Sequence, residues 1–417
     1  MKVAVVGGGS TYTPELVDGF ARLSEGLTEL VLVDPAPTRL AVVGAFGRRI
    51  FQRYGVSADL TWTDDLDAGL DGADVVIIQL RVGGQAARIG DETFPLECDC
   101  VGQETTGAGG LAKALRTVPV VLDVARRARA VAAPGAWIVA FTNPVGIVTR
   151  ALLDDGHRAL GLCNVAIGLQ RYFASLLSVA PEAVTLDHAG LNHLTWERAA
   201  YVDGVDQLPK LLAVHGVELA DRVKVPLEIL ELTGTVPSYY LRYFYCHDEV
   251  VAEQRSAPSR GQRVAEIERE LLALYADPAI DTKPALLSER GGAYYSEAAV
   301  GLIGSLRGDD GAVHAVNVRN NGTWSFLPDE AVIEVSCRVG RSGAVPVPGP
   351  PLAPDIAGLV GHVSAYEQLA VDAALRGGRD RVYRALLAHP LVGQASPAER
   401  LTDRLLALNS EHLAWAR

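Results

Sequence analysis

The sequence predicts a doubly wound α/β sheet over residues 1–165, followed by a mixed α+β unit over residues 166–417. Three observations carry this. Short apolar runs alternate with amphipathic stretches at a steady rhythm up to about residue 165. A glycine cluster follows the first run and opens a helix. Beyond residue 165 the rhythm breaks into paired strands and long helices.

The elements follow in order. Lys2–Val6 reads as a buried strand and Gly7, Gly8 and Gly9 as a turn. Pro14–Leu23 reads as a helix with Thr13 as its cap. Glu29–Val33 is a second strand ending at Asp34, and Arg39–Tyr54 is helical. Ala73–Gln79 is a third strand. Leu111–Ala132 is a long helix with Pro119 near a break. Trp137–Phe141 is a strand closed by Thr142-Asn143-Pro144. Val145–Asp154 is a helix and Ala159–Leu162 a short strand. In the second unit, Val184–His188 and Trp196–Val202 read as strands around a turn. Arg260–Ala276 and Ile356–Leu375 read as helices, and Gly340–Pro354 as a Gly/Pro-rich surface loop.

Composition narrows the partners. The 417 residues carry a formal net charge of -12, which argues against nucleic acid, since neutralising phosphates needs a basic surface. A small anion held by a few arginines stays compatible with that charge. No apolar run reaches the ~18–20 residues of a membrane helix, and no membrane partner is expected. The five cysteines form no dense framework, and Met-Lys leads straight into a strand. A cytoplasmic setting with reduced thiols is the expectation.

The turn Gly7-Gly8-Gly9-Ser10-Thr11 presents bare backbone to a diphosphate at a helix N-terminus. Tyr12 stands where a third glycine is usual. Asp34 suits a ribose hydroxyl and would repel a 2′-phosphate, which favours NAD over NADP. Arg39 nearby keeps that choice open.

A second constellation has nothing to do with dinucleotides. Gly161-Leu162-Cys163-Asn164 ends a strand, and Gly190-Leu191-Asn192-His193-Leu194-Thr195-Trp196 follows about thirty residues later. One thiolate and one imidazole make a partial metal site with open positions. On spacing alone the same residues read more readily as a buried thiol and a satisfied core or turn histidine.

Together these stretches resemble glycoside hydrolase family 4, the NAD- and metal-dependent glycosidases. The resemblance rests on Val5–Leu16, Arg81–Glu92 (RVGG with RIGDE) and Val101–Gly110. Phe141–Pro144, Gly161–Asn164, Gly190–Trp196 and Val236–Tyr245 (VPSYYLRYFY) complete it. It implies a Rossmann-like fold of the lactate/malate dehydrogenase kind. It also implies hydrolysis by oxidation at C3 with NAD, deprotonation at C2, elimination of the aglycone, water addition and return of the hydride. These enzymes are exceptions to the two-carboxylate rule of glycosidases.

Carried onto this chain, the resemblance makes Cys163 and His193 ligands of Mn²⁺ or another divalent metal. Tyr240 becomes the base and Glu104 the acid that raises its basicity. Arg88, Asn143, Asn164 and Arg260 become substrate-binding residues. Arg260 also stands at a helix start, whose N–H groups would serve the same anion. Asn164 stands where α-acting relatives tend to have Asp. The implied substrate is therefore a phosphorylated disaccharide such as cellobiose 6′-phosphate, or an aryl or alkyl 6-phospho-β-glucoside, cleaved by a homodimer or homotetramer. The alternatives are a 6-phospho-α-glucosidase, α-galactosidase or uronidase of the same family and, more remotely, an NAD-dependent 2-hydroxy-acid dehydrogenase or a non-catalytic NAD sensor.

Overall fold

The structure is a computed structural model that describes residues 1–23, 26–292 and 294–416. One sheet runs through the whole molecule. Its strands are β1 (Lys2–Val6), β2 (Glu29–Val33), β3 (Asp59–Thr63), β4 (Val75–Ile78), β5 (Trp137–Ala140) and β6 (Ala159–Gly161). They continue with β7 (Val184–Leu191), β8 (Leu194–Val202), β9 (Val205–Asp206), β10 (Val236–Pro237), β11 (Val313–Arg319), β12 (Val332–Gly340) and β13 (Gly343–Pro346).

The first six strands lie parallel in the order β3-β2-β1-β4-β5-β6. That is the order of dinucleotide-binding sheets, with the switch point between β1 and β4. β1, β2 and β4 (KVAVV, ELVLV, VVII) are near-continuous apolar runs because helices cover both faces. From β6 the sheet continues antiparallel as β11-β12-β7-β8-β10, with β13 and β9 on its flanks. The sheet thus crosses residue 165 without interruption, and one hydrophobic core spans both halves.

Several expectations change. Strand β3 and the helix Gly84–Thr93 did not stand out in the sequence. β3 is an edge strand whose polar residues DLTWT show little apolar run. The helix Gly107–Val131 continues through Pro119 instead of breaking. Pro119 lies on the exposed side, while Thr117, Val118, Val121 and Leu122 pack inward. That packing outweighs the ~3 kcal/mol an interior proline costs. The loop Gly340–Pro354 contains β13, which folds back on the end of β12.

Candidate functional site

The dinucleotide end is built from close packing. Gly7 has φ +89, and a Cβ there would run into the Gln79 carbonyl after β4. A Cβ on Gly8 would sit 2.7 Å from Leu32 Cβ, and one on Gly9 2.8 Å from Asp34 Cγ. The turn's N–H groups are largely used inside the fold. Gly7 and Gly8 donate to Val33 O, Ser10 to Gly7 O and Thr13 to Ser10 O. Gly9 donates to Asp34 Oδ2 (3.0 Å) and Tyr12 to Ser10 Oγ (3.2 Å). Asp34 Oδ1 also accepts from Ala36 N (3.0 Å), and each carboxylate oxygen keeps a lone pair for a ribose hydroxyl. Arg39 Nε donates to Gly9 O (2.7 Å), and its guanidinium pairs with Glu268 (3.4 Å).

Past the ends of β4 and β5 opens a cavity of about 240 Å³. Ser10, Arg88, Glu104, Asn143, Cys163, Asn164, His193 and Tyr240 all line it, so most of the expected site residues converge. Gly7, Gly8, Gly9, Thr11, Asp34 and Arg39 lie behind it at the dinucleotide end. Arg260 lines an adjoining cavity of about 610 Å³ together with Arg88, Tyr240 and Arg290.

Cys163 follows β6, and His193 sits at the tip of the β7–β8 hairpin with φ +63. Gly190 lets that hairpin close, since a Cβ there would strike Leu194 O. Burial pushes the Cys163 thiol up to about 12, against the pull of N–H bonds from Val165, Asn164 and the Asn192 side chain. Burial holds His193 down at about 4, so its ring is neutral. His193 Nδ1, Asn192 Oδ1 and Asn143 Oδ1 are buried without a hydrogen-bond partner among the described residues. Buried polar atoms are normally satisfied. A thiol, a neutral imidazole with an orphaned nitrogen and nearby amide oxygens fit a divalent ion. Among the described residues no group of three or more His, Cys, Asp or Glu is arranged for a metal, so other positions would fall to water or substrate.

The Tyr240 ring stacks on His193, centroids 3.7 Å apart and 9° from parallel. Burial first, then the neighbouring Cys163, Tyr243 and Glu104, raise its phenol well above the usual value, with Arg88 opposing them. Glu104 is buried, yet Lys113, Arg81 and Arg88 hold its carboxyl well below the usual range. Lys113 Nζ lies 2.6 Å and Arg88 Nε 3.2 Å away, and Arg81 completes the clamp.

Arg260 opens the helix Arg260–Ala276, which Ser259 and Gln262 close with a reciprocal capping box. The expected anion-binding N–H groups there are partly taken: Gly261 N donates to Glu92 Oε2 (2.6 Å) and Gln262 N to Ser259 Oγ (3.3 Å). Lining the two cavities, Arg81, Arg88, Lys113, Arg242, Arg260, Arg263 and Arg290 outnumber Glu92, Glu104 and Glu253. This local surplus sits in a chain of net charge -12.

Sequence reasoning missed the support behind the hairpin. Glu334 on β12 accepts from Asn192 Nδ2 (2.8 Å) and Asn317 Nδ2 (2.7 Å), and lies 3.1 Å from His188 Nε2. His188 Nδ1 lies 2.7 Å from Glu197. Burial disfavours the charged ring, but Glu197 and Glu334 together raise His188 to about 10. One signal existed: an acid inside the apolar strand Val-Ile-Glu-Val at 332–335. Tyr295 and Arg290, which also line the cavity, carried none.

A dinucleotide-type sheet whose ligand end opens onto a buried thiol, imidazole and phenol defines an enzyme class, one joining a nucleotide cofactor to polar chemistry on a second ligand. Comparison with known proteins gives the family. The model for the family 4 glycosyl hydrolases matches residues 2–179, and that for the family 4 glycosyl hydrolase C-terminal domain matches residues 188–392. The chain belongs to glycosyl hydrolase family 4. It is 35% identical to the 6-phospho-beta-glucosidase of Escherichia coli, over 99% of this chain and 96% of that one. The 6-phospho-beta glucosidase of Thermotoga maritima, solved with manganese, NAD+ and glucose-6-phosphate, superposes with a TM-score of 0.93 at 33% identity, over 99% of both chains. Malate dehydrogenase from Salinibacter ruber shares the fold alone, with a TM-score of 0.55 at 17% identity over 91% of this chain and 99% of that one. Among the described residues no helix is long and apolar enough to cross a membrane.

Proposed function

We propose that this chain hydrolyses 6-phospho-β-glucosides with NAD and a divalent metal, Mn²⁺ in the first instance. The observation that carries the reading is the convergence of Cys163, His193 and Tyr240 with a surplus of arginines at the ligand end of the sheet. Bound NAD supplies a hydride acceptor for C3, and a divalent ion held by Cys163 and His193 supplies Lewis-acid polarisation and the positive charge that draws the neighbouring phenol toward ionisation.

The chain's own residues do the rest. Tyr240 takes the C2 proton, made acidic by the C3 ketone. The clamped Glu104 keeps a negative charge that strengthens the Tyr240 phenolate as a base. Arg88 and Arg260 hold the 6-phosphate, for which a guanidinium fork is suited. Asn143 and Asn164 orient the sugar hydroxyls. Asn164 is an amide and cannot act as a proton donor to the leaving group, which favours β-linked over α-linked substrates. Asp34 holds the adenosine ribose.

We read residues 1–165 as the cofactor half and 166–417 as the half for substrate, metal and self-association, built on one sheet. All five cysteines are free, which suits the cytoplasm. Exposed Val214, Val217 and Leu232 suit a homodimer or homotetramer.

The test is an assay of paired α- and β-nitrophenyl glucosides, with and without a 6-phosphate, given NAD, Mn²⁺ and a reductant. The expected result is turnover of the β-6-phosphate alone, without accumulation of NADH. In heavy water the product should gain deuterium at C2. Activity restricted to unphosphorylated sugars, or retention of the original C2 hydrogen, would overturn the reading.

A further inference from the structure

The glycine-rich turn is short of donors for an anion. Of the amides from Gly7 to Thr13, only that of Thr11 lacks a partner among the described residues, and Pro14 has no N–H to offer. A dinucleotide diphosphate normally rests on such amides. In this chain a side chain has to supply part of the charge.

The far half of the sequence brings one. Arg290 Nε lies 2.8 Å from Thr11 Oγ1, and its Nη2 lies 3.5 Å from Ser10 Oγ. Its guanidinium carbon sits 5.4 Å from the centroid of the Tyr12 ring, the residue in the third-glycine place. Tyr12 in turn bonds Gly292 O, which fixes the segment that carries Arg290 against the turn. The arginine side chain is 15% exposed and lines both cavities.

One carboxylate holds it in place. Glu268 accepts from Arg290 Nη2 (2.9 Å), Thr11 Oγ1 (3.1 Å) and Gln85 Nε2 (3.0 Å), and pairs with Arg39 (3.4 Å). Two guanidinium groups, a hydroxyl and an amide gathered on one anion form a donor set that also suits phosphate oxygens. The sugar-phosphate side has its own arginines, Arg88 and Arg260. Of the arginines lining these cavities, Arg290 is the one that bonds the turn's side chains, while Arg39 holds the Gly9 carbonyl from behind.

We propose that Arg290 is a ligand of the cofactor diphosphate, held over the turn by Glu268 until the cofactor arrives. This rests on the NAD-dependent reading above. Arg290 then does from the second half of the chain what backbone amides do in the usual turn.

Calorimetric titration of the full chain with NAD, ADP, adenosine and glucose 6-phosphate tests it, comparing wild type with Arg290→Gln, Arg290→Lys and Glu268→Gln. Arg290→Gln should weaken NAD and ADP by about 10–100-fold, the range for a charge-assisted contact. Adenosine should stay within about twofold and glucose 6-phosphate within about threefold. Arg290→Lys keeps the charge without the fork and should recover part of the loss. Glu268→Gln should bind ADP as well as wild type or better. Equal weakening of adenosine and ADP would mean general damage and would overturn the assignment. So would an unchanged ADP affinity, or a loss confined to glucose 6-phosphate. If the wild type itself binds no NAD, the parent reading falls instead.

Discussion

Two tight turns at the ligand edge of the same sheet behave in opposite ways. The turn after β1 spends nearly all its amides on Val33, Asp34 and its own backbone. The hairpin after β7 leaves His193 Nδ1 and Asn192 Oδ1 buried with no partner among the described residues. The first turn's glycines are there because neighbouring strands press on them. The second turn is incomplete as a piece of protein. Since folded chains rarely leave buried polar atoms bare, the hairpin has polar atoms open to a further partner, as the proposed metal site requires. The glycine turn on its own marks how closely β1 packs against β2 and against the chain leaving β4.

The largest expected effect breaks the open side without touching the closed one. Tyr240→Phe should lower kcat by about 10²–10⁴-fold, the range for losing a general base. Its urea midpoint should stay near that of the wild type, because the ring and its stack on His193 remain. A variant that keeps more than a tenth of the activity would remove Tyr240 from the chemistry.

Next comes the support behind the hairpin, where the polar atoms are paired. His188→Gln should cost about 3–5 kcal/mol at pH 7, because it leaves Glu197 and Glu334 buried without their cation. The pH dependence has a definite sign. The ring is held at about 10 in the fold, against ~6.5 when unfolded. Its stabilisation is therefore complete below about pH 6.5 and is lost as pH rises toward 10. Urea titrations at pH 6.5 and 9.5 should show that decline in the wild type and a flatter response in the variant. Parallel slopes would mean the imidazole is neutral.

The smallest effect tests the closed side. In Gly9→Ala the new Cβ would lie 2.8 Å from Asp34 Cγ. Overpacking of this kind costs about 1–3 kcal/mol. Because Asp34 must shift, NAD binding should weaken by about tenfold. Unchanged stability would show that the turn is looser than its contacts imply.

These contrasts also say what the sequence could reveal. Parallel strands buried on both faces announce themselves as apolar runs, so β1, β2, β4 and β5 were legible. The edge strand β3 was not, since DLTWT has one wet side. Cys163, His193 and Tyr240 were legible because they sit in rare local combinations. Their convergence was implied by the family resemblance and by no local pattern, because it depends on β6, β7 and the Val236–Tyr245 segment meeting across the sheet. Arg290 and Glu268 stayed silent for the same reason. Thr11 and Glu268 are 257 residues apart, and no local pattern reports a bond of that span.

The unbroken sheet has a consequence for handling the molecule in pieces. β6 is covered on its outer edge by β11, which arrives more than 150 residues later and pairs Asn317 with Gly161. A chain cut after residue 165 would keep six parallel strands but expose β6 as a bare, apolar edge. Such an edge recruits other strands. The first half, despite its familiar strand order, is therefore expected to be an aggregating fragment rather than a portable cofactor module.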